Sequence, residues 1–300
     1  MHLLSSDDLS KEQVEKIFDT VNQLKRGKVE ISLREHTVAV LLFEKPSTRT
    51  RISFEAAVAQ LGGASIYVDS KTSQLSRGES WSDTAKVISS YSDFIIARLF
   101  NHADILELAK DSSVPVINAL TDLEHPTQAI SDIYTILQKK KRLKGLKLAY
   151  IGDVKSNTAN STMLLGAKMG LEVTLIGPKG ITPNERYFLK AREYGFVDFT
   201  NDIQEGVAEA DVIYTDTFVS MGEEEEREER MKRFMPYQLN QQVLDMAKKD
   251  AIVMHCLPAH RGEEITADVI DGPNSIVFEQ AKNKLDVEKA IILYMLGIKG

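Results

Sequence analysis

The chain has 300 residues, 43% of them hydrophobic, and a formal net charge of -7. That length exceeds what a single core fills comfortably and points to two domains. The acidic balance argues against a general nucleic-acid binder, which needs clustered Lys and Arg over a broad face.

In chain order, Ser10 with Gln13 has the pattern of a capping box, so a first helix is expected to run to about Lys25, with Gly27 as its stop. TVAVLLF, ending at Phe43, reads as a buried strand, and SFEAAVAQL, from Ser53, carries apolar residues at helical spacing. ASIYV, DFIIAR and VPVIN read as further short strands, separated by the helical stretches ESWSDTAKVISSY and ADILELA. Pro126 is a good first helical residue, and PTQAISDIYTILQKKKR is expected to link two domains. The one basic run, KKKRLKGLK at Lys139–Lys147, reads as that helix's end, where cations complement the dipole. KLAYIG, EVTLIG, ADVIYT and AIVMHCL repeat the strand pattern in the second half. The acidic EEEEREERMKRF after Gly222 reads as a solvated helix start or a mobile loop, and Val277 to about Leu296 as a last amphipathic helix. The alternation predicts an α/β fold of two domains, each a parallel sheet flanked by helices, joined by interdomain helices.

Between the first strand and its helix lies FEKPSTRTR, with Ser47, Thr48, Arg49 and Thr50 in succession. A helix start offers unpaired N–H groups and the positive dipole end, the hydroxyls add donors, and Arg49 adds a fixed fork for phosphate oxygens. The cluster reads as an anion site; taken singly, its members also suit an ordinary Ser or Thr cap beside an exposed arginine. Arg98 reads either as a second phosphate ligand or as half of a surface ion pair. The lone cysteine, Cys256, reads either as a small hydrophobe or as a site residue at a strand end.

One cysteine forbids an intrachain disulfide and fits a reducing compartment. The start, MHLLSSDDLSKEQ, has no apolar signal region, and no apolar run approaches the roughly 18 residues that cross a bilayer. A cytoplasmic protein with no membrane and no nucleic-acid partner is expected. No His or Cys pair has ligand spacing, so no metal and no cofactor are expected. No GxGxxG follows KLAYIGD, which removes the dinucleotide signature.

STRT at Ser47–Thr50, Arg98 after FIIA, HPTQ at His125–Gln128, Asp216 followed by Ser220, Met221 and Gly222, and HCLP at His255–Pro258 occur in one order along the chain. Together they resemble the aspartate and ornithine carbamoyltransferase family from end to end. HCLP favours the ornithine branch, since the aspartate branch typically has an HPLPR-like segment. The resemblance implies a carbamoyl-phosphate-binding domain at 1–135, to which the C-terminal helix at about 277–300 returns, and an amino-acid-binding domain at 145–276. It implies transfer of the carbamoyl group of carbamoyl phosphate to the δ-amine of ornithine, giving citrulline and phosphate, in arginine metabolism.

By the same resemblance Ser47, Thr48, Arg49, Thr50 and Arg98 grip the phosphate, His125 donates to the carbamoyl oxygen, and Gln128 accepts from the carbamoyl NH₂. Cys256, Leu257 and Lys284 also fall in the carbamoyl phosphate set, with Cys256 beside the reacting amine. Asn157, Asp216, Ser220 and Met221 hold ornithine. Gln74 matches a residue that reaches a neighbouring subunit's site, which implies a homotrimer or a larger assembly of trimers. Two places depart from the family's pattern: Lys284 stands where arginine is usual, and GDVKSNTANS has Lys155 and Ser156 ahead of Asn157. These leave putrescine or an N-acylated ornithine open as the second substrate, and a non-catalytic anion-binding regulator as a third reading. The direction of the reaction, anabolic or catabolic, is also left open.

Overall fold

The protein's structure, a computed structural model, is described over residues 1–27, 31–219 and 224–298. Its contacts divide it into two compact units, Met1–Ser131 with Asn283–Gly300, and Asp132–Lys282.

The first unit opens with α1 (Lys11–Arg26), whose Ser10 and Gln13 form the reciprocal capping box and whose Gly27 ends it in the left-handed conformation. Then come β1 (Val38–Phe43), α2 (Thr48–Gln60), β2 (Ala64–Asp69), α3 (Trp81–Ser89), β3 (Phe94–Arg98), α4 (His102–Asp111) and β4 (Val116–Leu120). α5 (Pro126–Lys140) begins here and passes into the second unit. The four strands form a parallel sheet in the order β2-β1-β3-β4. Val40, Leu42, Ile95 and Ala97 pack one face against Ala85 of α3 and Ile105 and Leu108 of α4. Each such aliphatic side chain contributes about 1.5–3 kcal/mol when removed from water. Beside β4 the N-terminal segment adds a bridge, Leu3 to Ile117, which covers that sheet edge.

The second unit continues with β5 (Lys147–Ile151), α6 (Asn157–Lys168), β6 (Glu172–Ile176), α7 (Glu185–Tyr194), β7 (Val197–Thr200), α8 (Ile203–Val207) and β8 (Val212–Thr215). It ends with α9 (Arg227–Phe234), α10 (Gln241–Asp245), β9 (Ile252–His255), α11 (Ala267–Ile270) and the start of α12 (Val277–Met295), which runs back into the first unit. Its five parallel strands lie in the order β7-β6-β5-β8-β9. The edge strand β7 escapes a reading by hydrophobic run because its four residues, VDFT, carry a charge. The acidic stretch resolves into a 3₁₀ turn at Glu224–Glu226 followed by α9, a helix held by buried Phe234 stacked on Phe218.

Both sheets reverse their strand order in the middle, between β1 and β3 and between β5 and β8. In open parallel sheets the crevice beyond the strands' carboxyl ends at such a reversal is where ligands bind. The sequence motifs lie at the ends of β1, β3, β4, β5, β8 and β9 or in the segments that follow them.

Packing of the second sheet is tight where α8 crosses β6. A Cβ placed on Gly206 would lie 2.5 Å from Ile176 Cδ1, inside the core. Gly206→Ala is expected to lower stability by about 1–3 kcal/mol through overpacking, read as a lower urea midpoint; an unchanged midpoint would contradict this packing.

Candidate active site

In the first unit the motif after β1 forms the start of α2. Ser47 is the N-cap, extended at φ -158°, and its Oγ accepts the Thr50 amide at 3.3 Å. The cap reading and the anion-site reading are therefore compatible: the cap uses one donor, and helix geometry leaves those of Thr48 and Arg49 pointing outward. The first turn of α2 has no acidic residue. Thr48 and Arg49 are exposed, whereas Thr50 is buried.

Arg98 closes β3 and is only 5% exposed. It pairs in register with Phe43, the last residue of β1, and its carbonyl accepts the Glu44 amide at 2.9 Å. A register shift between Ala97 and Arg98 against β4 re-aims the strand end, as bulges do beside binding sites. Arg98 is thus a buried cation and not half of a surface pair. Lys284, on the part of α12 that belongs to this unit, is 7% exposed, and its Nζ lies 3.2 Å from Thr50 Oγ1. The motif residue and the unusual lysine are neighbours.

His125 precedes α5 and is also buried. The loop ahead of it is fixed by Glu124, a fully buried carboxylate that accepts Ser5 Oγ at 2.6 Å, Ser6 Oγ at 3.1 Å and the Ser6 amide at 3.2 Å. Burial, then the charges of Lys284 and Arg98, hold His125 well below its ordinary pKa. The ring is therefore neutral at physiological pH and able to donate one hydrogen. Gln128, buried one turn into α5, donates its amide to the His125 carbonyl at 3.1 Å. Gln74 stands apart, exposed at the start of a 3₁₀ turn, Gln74–Arg77.

In the second unit Asn157 is the first residue of α6, capped by Ser156, whose Oγ accepts the Ala159 amide at 3.1 Å. Asp216 follows β8, and its Oδ1 accepts the Cys256 thiol at 3.1 Å and the Thr217 amide at 2.8 Å. The pairing of β8 with β9 sets Thr215 opposite His255, which brings these two residues together from 40 positions apart. Two tyrosines that a strand reading treats as mere core lie in register below them, Tyr150 beside Tyr214. Both phenols are pushed well above their ordinary pKa by burial and by neighbouring acids, Asp216 for Tyr150 and Asp132 for Tyr214. Tyr150 meets Ser156 Oγ at 3.0 Å, tying this floor to the cap of α6.

His255 orders the segment that carries Cys256. Its Nδ1 accepts the Leu257 amide at 2.8 Å, so its Nε2 bears the hydrogen given to Glu264 at 3.0 Å. Burial raises the Glu264 carboxyl, but hydrogen bonds from His255 and the His260 amide outweigh it and leave the pKa below its ordinary value. Leu257 is a non-glycine residue at φ 58°, a conformation costing about 1–3 kcal/mol that its surroundings must hold. The His255 bond does so, and the Leu257 side chain packs on the second core. The His255 amide donates to Gln280, which with Tyr214 also holds Asp132.

Leu257 and Cys256 lie in this second unit, apart from the other residues expected around carbamoyl phosphate. Ser220 and Met221 lie outside the described residues. Strand pairing also gathers Asp216, His255 and Cys256 within 4.8 Å, a grouping that spacing along the chain does not reveal, while His260, Glu263 and Glu264 cluster within one local turn. In the first group the donor atoms are engaged among the protein's own residues, as above.

Also in the second unit, Arg230 of α9 donates to Asp153 at 2.5 Å and to the Phe218 carbonyl at 2.8 Å, pinning the segment after β8 to the turn before α6. No helix among the described residues is long and apolar enough to cross a membrane.

Residues 1–138 match the carbamoyl-P binding domain of aspartate/ornithine carbamoyltransferase, and residues 144–295 match its Asp/Orn binding domain. The chain is 47% identical to the ornithine carbamoyltransferase of Thermococcus kodakarensis over 304 residues, covering 98% of this chain and 96% of that protein. It is 47% identical to the Bacillus subtilis ornithine carbamoyltransferase over 299 residues, covering 98% and 93%. The structure of ornithine carbamoyltransferase from Pyrococcus furiosus superposes with a TM-score of 0.93 at 45% identity, covering 99% of this chain and 97% of that one. Motifs, fold and likeness over nearly the whole length agree: the chain belongs to the aspartate/ornithine carbamoyltransferase family.

Proposed function

We propose that this protein transfers the carbamoyl group of carbamoyl phosphate to the δ-amine of L-ornithine, giving L-citrulline and phosphate. The observation that carries the donor half is the meeting of Lys284 with Thr50 in the open first turn of α2, in a unit that also buries Arg98 and a neutral His125.

Ser47, Thr48, Arg49, Thr50 and Arg98 bind the phosphoryl oxygens, where arginine forks give charge-assisted, bidentate bonds. His125 donates to the carbamoyl oxygen as negative charge grows on it in the tetrahedral intermediate, and the Lys284 ammonium adds a point charge there. A neutral imidazole suits this task, since it donates without giving up a full proton. Gln128 accepts from the carbamoyl NH₂. Phosphate then leaves with the bonding electrons, and no covalent enzyme intermediate forms.

The amine needs preparation. With a solution pKa like that of lysine, about one molecule in a thousand is unprotonated at neutral pH. Asp216 and Asn157 hold the α-amino and carboxylate groups of ornithine, and Cys256, whose thiol is oriented by Asp216, directs the δ-amine; the departing phosphate accepts its last proton. By the family resemblance, Cys256 and Leu257 are assigned to the donor set, and Ser220 and Met221 to the amino acid. The metabolic setting assigned is arginine biosynthesis. The assembly assigned is a homotrimer in the cytoplasm, with Gln74 serving a neighbouring copy. Exposed Gln74, and Ile52 and Ile66 at 58% and 51% exposure on α2 and the edge strand β2, support a covered face there.

Phosphate release from carbamoyl phosphate and ornithine tests the reading. Arg49→Ala is expected to lose at least about a hundredfold in kcat/KM. Asp216→Asn is expected to lose a similar factor toward ornithine while the KM for carbamoyl phosphate stays within about threefold. No release by the native protein, or an equal loss of carbamoyl phosphate binding in the Asp216 variant, would contradict it.

The neutral His125 makes a separate prediction. Its folded pKa lies below the ordinary 6.5, so the unfolded chain binds the proton more tightly. The stability it contributes is fully present above about pH 6.5 and is lost as pH falls toward the folded value. Urea midpoints measured from neutral to acid pH should therefore fall more steeply for the native protein than for His125→Asn; parallel curves would show that His125 is not held neutral.

A further inference from the structure

On the same face of α12 as Lys284, one turn later, lies Glu288, which plays no part in the mechanism above. Its side chain is 0% exposed, and the polar groups that act on it are the Lys284 ammonium and the Ser53 hydroxyl. The Ser53 hydroxyl beside it, on α2, is given to the Thr50 carbonyl at 3.2 Å. The charged residue paired with it among the described residues is Lys284, whose Nζ lies 3.8 Å from Glu288 Oε1 and 3.2 Å from Thr50 Oγ1. A buried carboxylate is costly, and native structures keep one only with a counter-charge or a function.

Lys284 therefore stands between two claimants. When Glu288 is ionised, the ammonium is drawn along the helix to it. When Glu288 carries a proton, the whole charge serves Thr50 and whatever anion Thr50 binds. A phosphoryl dianion arriving at the start of α2 adds negative charge on the far side of Lys284, which disfavours a second negative charge on Glu288. By linkage, the binding of one and the ionisation of the other oppose each other to the same degree.

From this geometry, and resting on the reading of α2 as the carbamoyl phosphate site, we infer that Glu288 is a positioning residue: its carboxyl restrains the Lys284 ammonium, releases it to an incoming phosphoryl dianion, and takes up a proton from solvent as that dianion binds. Among the described residues, the groups that face it are Lys284 on its own helix and Ser53 on α2. Burial, opposed by Lys284 and Ser53, raises the Glu288 pKa to about 8, which places the exchange within an accessible range.

The test is calorimetric titration with phosphonoacetamide, a non-reacting carbamoyl phosphate mimic, from about pH 7 to pH 9.5 in buffers of different ionisation enthalpy. The native protein is expected to take up protons on binding around pH 8 and to lose about tenfold in affinity for each pH step above that value. Glu288→Gln, close in shape and unable to ionise, is expected to bind with a flat profile and with that proton uptake removed. Thermal unfolding provides a second measurement. A raised carboxyl pKa gives stability that is complete below the unfolded value of 4.5 and is lost as pH rises through about 8, so the native melting temperature should fall over that window more than the variant's does.

Native binding without proton uptake, or with a pH profile shared by Glu288→Gln, overturns the inference while leaving the anion site standing. No binding at any pH overturns both. Should the variant fail to fold, proton uptake by the native protein still decides the matter.

Discussion

Positive charge collects at one place in the first unit. Arg98 and Lys284 are both buried there, Arg49 stands on the exposed first turn of α2, and that turn contributes the positive end of a helix without an acidic residue in it. Cations and a helix N-terminus repel one another unless an anion lies between them. The arrangement thus makes sense as the protein half of a complex with a dianion. Burial, and then the charges of Lys284 and Arg98, keep His125 neutral.

The second unit, which holds most of the match to the Asp/Orn binding domain, is organised by side-chain hydrogen bonds. It builds a rigid floor from Tyr150 and Tyr214 and sets Asp216 and Cys256 on it through the adjacency of β8 and β9. Rigidity comes from below and behind. His255 is locked between Glu264 and the Leu257 amide, Gln280 ties His255 to Asp132, and Arg230 clamps Asp153 to the Phe218 carbonyl. The left-handed Leu257 is the backbone strain that this support sustains.

Much of the molecule is legible from residue order because its signals are local. Strands buried on both faces leave unbroken apolar runs such as VAVLLF and FIIAR, and the Ser10 box and Pro126 mark helix starts within a few residues. The STRT segment announces itself because four phosphate-binding side chains in succession have few other uses. What escapes is whatever depends on partners far along the chain. β7 is too short and too charged to stand out, and α9 is held by a ring stack and by Arg230, which a count of acids does not show. The tyrosine floor is hidden inside strands, and Glu288 looks like any polar helix residue until Lys284 and α2 bury it. Lys284 is the instructive case: by comparison with a family pattern it reads as a loss, and only the packing of α12 reveals that it meets Thr50.

The measurement that bears most directly on all of this is a crystal structure of the protein with phosphonoacetamide. The account predicts the phosphonate oxygens within hydrogen-bond distance of Ser47, Thr48, Arg49, Thr50 and Arg98, with the carbonyl oxygen at His125 and Lys284. Clear density for the ligand elsewhere, or a phosphonate at the start of α2 touching neither arginine, would contradict it.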